Sequence, residues 1–151
     1  MICVVGCDHA GLGLAHEVLD LLSNMNGIER IVEILPRDST KVDYPDFASL
    51  VCKEVAKKDN HFGILVCGSG IGMSICANKI KGIRAALCVN EYMARYARLH
   101  NDANVLCLGE RLIGFGIARD IVGVFLNTAF EGGRHKIRLD KIGSLEQGSL
   151  S

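Results

Sequence analysis

The chain has 151 residues, 49% of them apolar and 23% charged, and its 17 basic and 17 acidic side chains cancel at neutral pH. That length holds one hydrophobic core and is short for two, and a balanced charge without a basic block gives no reason to expect nucleic acid or a membrane surface as a partner. No apolar run approaches the roughly 18 residues of a membrane span, no signal peptide opens the chain, and seven cysteines without a C-x-x-C pair predict neither a zinc ribbon nor a disulfide framework, which fits a reducing cytoplasm.

Apolar runs and amphipathic stretches alternate along the sequence. A strand is predicted over 2–5, a loop over 6–13 and a helix over 14–25. A second strand follows at 31–35, then a polar loop at 36–45 and a helix at 46–58. The third strand is 62–67 with a helix at 71–80, the fourth 83–88 with a helix at 91–100, and the fifth 104–108. Two helices, 114–127 and 134–141, close the pattern. Residues 1–142 form one domain in this reading, and the Gly/Ser-rich stretch 143–151 is expected to be a flexible tail.

Strands that are apolar throughout, separated by helices, predict a parallel sheet covered on both faces. The expected fold is α/β, a Rossmann-like three-layer αβα sandwich with an extra C-terminal helix. Its five strands are expected in the order 2-1-3-4-5, with the ligand crevice where strands 1 and 3 diverge. The loop after strand 1 carries Cys7, Asp8 and His9, and the loop after strand 3 carries Cys67, Gly68, Ser69 and Gly70. Those two loops face one another across the crevice.

Cys67 ends its strand, and Gly68, Gly70 and Gly72 alternate after it, with Ser69 between the first two. Such a turn exposes backbone N–H groups beside the thiol at a helix start, where the dipole favours negative charge. A free thiol has a pKa near ~8.5, and this position lowers it. The G-x-G-x-G spacing matches neither the dinucleotide nor the Walker fingerprint. The plainer alternative for Cys67 is a small buried hydrophobe, the reading given to Cys3, Cys52, Cys88 and Cys107. Asp8 and His9 read either as an Asx turn or as crevice residues that bind a ligand or move a proton. On pattern alone, His100-Asn101-Asp102 reads as a capping histidine with turn residues. Arg134 and Arg138 share a helical face, as a solvated stripe or as a forked clamp for phosphate. No metal-ligand spacing appears.

Seven motifs in order carry a more specific signal. They are G-C-D-H-A-G at 6–11, V-D-Y-P-D at 42–46, C-G-S-G-I-G-M-S at 67–74, A-N-K at 77–79, K-G-I-R-A-A at 81–86, R-L-H-N-D-A-N-V-L-C-L-G at 98–109 and F-E-G-G-R-H at 130–135. The chain thereby resembles the ribose-5-phosphate isomerase B family, whose wider group also holds galactose-6-phosphate and allose-6-phosphate isomerases. The resemblance runs from Cys3 to about Ile142.

It implies a cofactor-free, metal-free aldose–ketose isomerase acting on ribose 5-phosphate and ribulose 5-phosphate through an enediolate, in the pentose phosphate pathway of the cytoplasm. Cys67 would move the proton between C1 and C2. The backbone of Gly68, Gly70, Ile71 and Gly72 would hold the enediolate oxygens, with the Ser69 hydroxyl assisting. His100 would open the furanose ring, with Asp8 nearby, while Asn101 contacts the sugar and Tyr44 lines the pocket. His9, Arg134 and Arg138 would bind the phosphate, with Arg111 a further candidate. The resemblance also implies a homodimer, or a tetramer, with sites shared between chains and the His100–Asn101 segment supplied by the neighbour. Cys76, Val89-Asn90 and the 37–40 loop depart from the common pattern and leave sugar size open. The alternatives are a hexose-6-phosphate isomerase and a non-catalytic, flavodoxin-like phosphate-binding module.

Overall fold

A computed structural model of the chain describes residues 1–148. Eleven elements follow in order: β1 (Ile2–Cys7), α1 (Leu12–Ser23), β2 (Arg30–Ile34), α2 (Tyr44–Val55), β3 (His61–Cys67), α3 (Ile71–Ala77), β4 (Ala85–Leu87), α4 (Glu91–Asn101), β5 (Val105–Gly109), α5 (Phe115–Asn127) and α6 (Arg134–Glu146). The strands form one parallel sheet, as their apolar runs require. Its order is β2-β1-β3-β5-β4, which corrects the expected 2-1-3-4-5 by exchanging the last two strands.

Burial explains the exchange. All five residues of β5 are buried, whereas β4 has three residues, each only partly covered. A strand apolar on both faces belongs inside a sheet, and a short, half-covered one at its edge. Asn78 then closes that edge. Its carboxamide donates to Ala85 O and accepts from Ala85 N, both at 2.9 Å, as a further strand would.

Handedness gives the same answer. Parallel crossovers are right-handed, so the direction of each step decides which face its helix covers. Steps β1 to β2 and β4 to β5 run one way, and steps β2 to β3 and β3 to β4 run the other. Accordingly α1 and α4 pack with α5 on one face, and α2 and α3 pack on the opposite face. The point where the chain reverses, between β1 and β3, is the same in both orders.

The side-chain period of two sorts each central strand between the faces. Val5, Ile64, Val66, Leu106 and Leu108 join Leu14, Val18, Ile121 and Phe125 on the α1/α4/α5 face. Val4, Leu65, Cys67, Val105 and Cys107 join Val51, Val55 and Met73 on the other. Cys7 and Cys67 therefore end neighbouring strands but point to opposite faces.

Two helix ends matter for the site. Helix α4 stops at Asp102, a non-glycine residue in the left-handed region (φ 43°). Its carboxylate takes Arg98 Nη1 at 2.7 Å and Arg84 Nη2 at 3.0 Å. The buried Arg98 also donates to Ala103 O at 2.7 Å, and its guanidinium lies over Phe62 at 4.9 Å. Helix α6 continues past the expected 141 to Glu146, whose carboxylate accepts from Gly82 N. The first residues of the expected flexible tail are thus helical, and its last three, 149–151, lie outside the described residues. Among the described residues, no helix is long and apolar enough to cross a membrane.

Candidate active site

Parallel strands put their C-terminal ends on one edge of the sheet, and the reversal between β1 and β3 opens a cleft there. The cleft is about 460 Å³ and is lined by Asp8, His9, Tyr44, Cys67, Gly68, Ser69, Gly72 and Arg111. A more enclosed cavity of about 340 Å³ lies at the opposite edge, against Arg84, Arg98 and Asp102. Both arginines are bound to the Asp102 carboxylate, and no cysteine, serine or threonine lines that cavity, so the cleft that holds Cys67 is the candidate site.

Cys67 is placed by β3 and contacted by the turn that follows. The Gly70 N–H donates to its Sγ at 3.1 Å. Gly70 can do so because it sits at φ 76°, and an added Cβ would also lie 2.5 Å from Leu87. Ser69 Oγ accepts from Ile71 N at 3.3 Å, which leaves its own O–H to donate elsewhere. The first intrahelical bond of α3 is Ser74 N to Gly70 O at 3.0 Å, so the Gly72 and Met73 N–H groups lie ahead of the ladder. Tyr44 closes over Gly72, where a Cβ would stand 2.9 Å from its ring.

The end of β5 supports this loop from beneath. Glu110 N donates to Cys67 O at 2.9 Å and Arg111 N to Gly68 O at 3.0 Å. The Arg111 guanidinium lies over Gly68, 3.2 Å from where a Cβ would be. The Glu110 carboxylate accepts from Leu14 N at 2.8 Å and so ties the start of α1 to the same loop. Sequence reasoning passed over Glu110. Its only signal was the acidic residue between Gly109 and Arg111.

Across the cleft, Asp8 is buried and accepts from Ala10 N at 2.9 Å, the Asx turn that the sequence allowed. His9 Nδ1 accepts from Val42 N at 3.3 Å, so the neutral ring carries its proton on Nε2 and presents a donor. Cys7, one residue earlier, is a different thiol. Burial first, then the Asp8 and Glu110 carboxylates, push it from about 9 up to about 12.

The remaining predicted residues stand elsewhere. Helix α4 runs back against the strands and ends at the sheet's opposite edge, where Arg84 Nε donates to Asn101 O at 2.9 Å. His100 and Asn101 therefore do not reach Cys67 within one chain. His100 stacks on His135, centroids 4.0 Å apart, and Arg138 Nη1 lies 3.4 Å from His135 Nδ1. The expected phosphate residues thus divide, with His9 and Arg111 in the cleft and Arg138, with Arg134 at the start of the same helix, beside His135.

Glu131, also unforeseen, completes this second group, with Oε2 3.8 Å from Nε2 of both His100 and His135. His100, Glu131 and His135 hold their ligand atoms within 4.8 Å of one another, the spacing of a metal site. Their chemistry does not suit a cation. A guanidinium only donates, so His135 Nδ1 is the acceptor and Nε2 carries hydrogen rather than a lone pair. Burial, His100 and Arg134 together lower the His135 pKa, and Arg138 adds to this against an opposing pull from Glu131.

The sequence matches the family described as Ribose/Galactose Isomerase over residues 3–142. It is 44% identical to ribose-5-phosphate isomerase B of Escherichia coli over 145 residues, 94% of each chain. Among solved structures, ribose-5-phosphate isomerase B of Clostridium thermocellum superposes with a TM-score of 0.92 at 45% identity, covering 99% of this chain and 100% of that one. The type B ribose 5-phosphate isomerase of Trypanosoma cruzi gives 0.91 at 47% identity, covering 98% and 99%.

Proposed function

The chain belongs to the ribose/galactose isomerase family and interconverts ribose 5-phosphate and ribulose 5-phosphate, and we propose that Cys67 is the base of that reaction. The observation that carries the reading is the Gly70 N–H held on Cys67 Sγ at 3.1 Å, at the mouth of a cleft that also contains His9 and Arg111.

A proton α to a carbonyl is weakly acidic, so its removal needs a base and a stabilised enediolate oxygen. The Cys67 thiolate takes the proton from C2 of the open-chain aldose, and the electron pair moves through C1 onto O1. The N–H groups around Gly68, Gly70, Ile71 and Gly72 meet the developing charge without reorganising. The O2 hydroxyl proton passes to O1 with help from Ser69, whose O–H is available to donate. Cys67 then returns its proton to C1, and O2 becomes the ketone.

His100 opens the furanose ring before this step, Asn101 holds a sugar hydroxyl, and Asp8 and Tyr44 border the sugar. His9, Arg111, Arg134 and Arg138 hold the phosphate. Since the fold keeps the two groups at opposite edges, the working enzyme is a homodimer in which His100 of the partner subunit completes the cleft. The setting is the cytoplasm and its pentose phosphate metabolism.

Cys67→Ala is expected to lower kcat by about 10³-fold or more, while inorganic phosphate still inhibits competitively in calorimetric or kinetic titration. Most of the activity surviving this substitution would remove Cys67 as the base.

A further inference from the structure

His100 is surrounded by groups that the isomerisation itself does not use. The ring stacks on His135 with planes within 11°, and Tyr96, one turn earlier, meets it edge-on at 4.8 Å. These contacts fix the plane of the imidazole. They do not decide which nitrogen carries its proton.

Glu131 is placed to decide that. Its N–H donates to Leu99 O at 3.0 Å, which fastens it beside the last turn of α4. Its Oε2 lies 3.8 Å from each of the two Nε2 atoms. His135 is buried, and its Nε2 has no hydrogen-bond partner. Because Arg138 donates to Nδ1, that Nε2 carries hydrogen and is a buried donor in need of an acceptor. The Glu131 side chain is half exposed. Closing by about 1 Å brings it to the ordinary hydrogen-bond distance of about 2.9 Å.

We infer that Glu131 is the positioning residue of His100: anchored on the Nε2–H of His135, its carboxylate accepts from the Nε2–H of His100 and leaves Nδ1 facing the sugar. The inference rests on the reading that His100 opens the ring. Nδ1 then takes the proton of the anomeric hydroxyl, and the C1–O bond to the ring oxygen breaks as the C1 carbonyl forms. The ring oxygen receives the bonding pair, and Nδ1 returns the same proton to it. A histidine held in the other tautomer has no lone pair at that nitrogen.

Two kinetic readouts separate this role from a merely structural one. Turnover of ribose 5-phosphate needs ring opening, whereas solvent deuterium exchange at C1 of the acyclic ribulose 5-phosphate needs only the base and the enediolate site. Glu131→Ala is expected to lower ribose 5-phosphate turnover by about 10- to 100-fold with exchange and KM near native. Glu131→Gln should recover most of the loss, because its carboxamide oxygen still accepts. Nitrogen-15 imidazole spectra should show His100 protonated on Nε2 in the native enzyme and shared between nitrogens in Glu131→Ala. Native turnover and an unchanged tautomer in Glu131→Ala overturn the inference, as does a parallel loss of exchange and turnover. Native turnover in His100→Ala overturns the ring-opening reading itself and the inference with it.

Discussion

The two edges of the sheet are built from different materials. At the C-terminal edge the donors around Cys67 are mostly backbone: Gly70 N–H on the thiol, the first amides of α3, and a loop held by main-chain bonds to Glu110 and Arg111, with the His9 and Arg111 side chains at its rim. At the N-terminal edge the groups are long side chains from α4, α6 and the loop between α5 and α6, ordered by stacking and by Arg98 and Arg84 on Asp102. Backbone donors are fixed before the reaction and suit a charge that develops in the transition state. Side chains carry full charge and titratable protons, which a phosphate and a furanose ring require. One sugar phosphate needs both kinds, and one copy of the fold holds His100, Arg134 and Arg138 apart from the Cys67 cleft.

The largest effect should come from recombining the edges between chains. Cys67→Ala and His100→Ala homodimers are each expected to be nearly inactive. Mixed and exchanged, half of the dimers pair one variant with the other, and one of their two sites then combines an intact Cys67 with an intact His100. Activity should return to about a quarter of native at equal mixing, by the symmetry of a two-fold dimer. No recovery after proven subunit exchange would place both residues in the same chain's site and break the comparison.

A smaller effect separates the phosphate residues. Arg111 stands in the cleft and Arg138 beside His135, yet both are assigned to one phosphate. Loss of a charge-assisted hydrogen bond costs about 1.5–3 kcal/mol. Arg138→Ala and Arg111→Ala should therefore each raise KM for ribose 5-phosphate by about 10- to 100-fold, with kcat less affected, in steady-state kinetics. An unchanged KM in either variant removes that arginine from the phosphate site.

The cleft was legible because its chemistry is local. Cys67 at a strand end, glycines at alternate positions and the Asx turn at Asp8 are all written in consecutive residues, and the reversal between β1 and β3 does not depend on where β4 and β5 lie. The order of those two strands was not legible, since it turns on the short length of β4 and on the face that α4 covers. His100 looked like a cap because its surroundings come from α6, more than thirty residues on. Glu131 and Glu110 were missed for the same reason: each acts on an element distant in sequence, Glu110 on the start of α1 and Glu131 on His100 and His135.

The smallest effect distinguishes the edges by pH. Cys7 titrates near 9 when unfolded and at about 12 in the fold, because burial and the Asp8 and Glu110 carboxylates oppose its thiolate. A raised pKa in the folded state contributes stability that is present below pH 9 and is lost as pH climbs toward 12. His135 is shifted the other way, chiefly by burial and by His100 and Arg134. A lowered pKa contributes stability that is present above about 6.5 and is lost as pH falls below it. Urea midpoints should therefore decline on both sides of a plateau. His135→Gln should flatten the acid limb and leave the alkaline one. Cys7→Ala should flatten part of the alkaline limb only, because Cys52 and Cys88 are also pushed up to about 12 by burial. If His135→Gln keeps the full acid slope, the acid sensitivity does not come from the buried His135 ring.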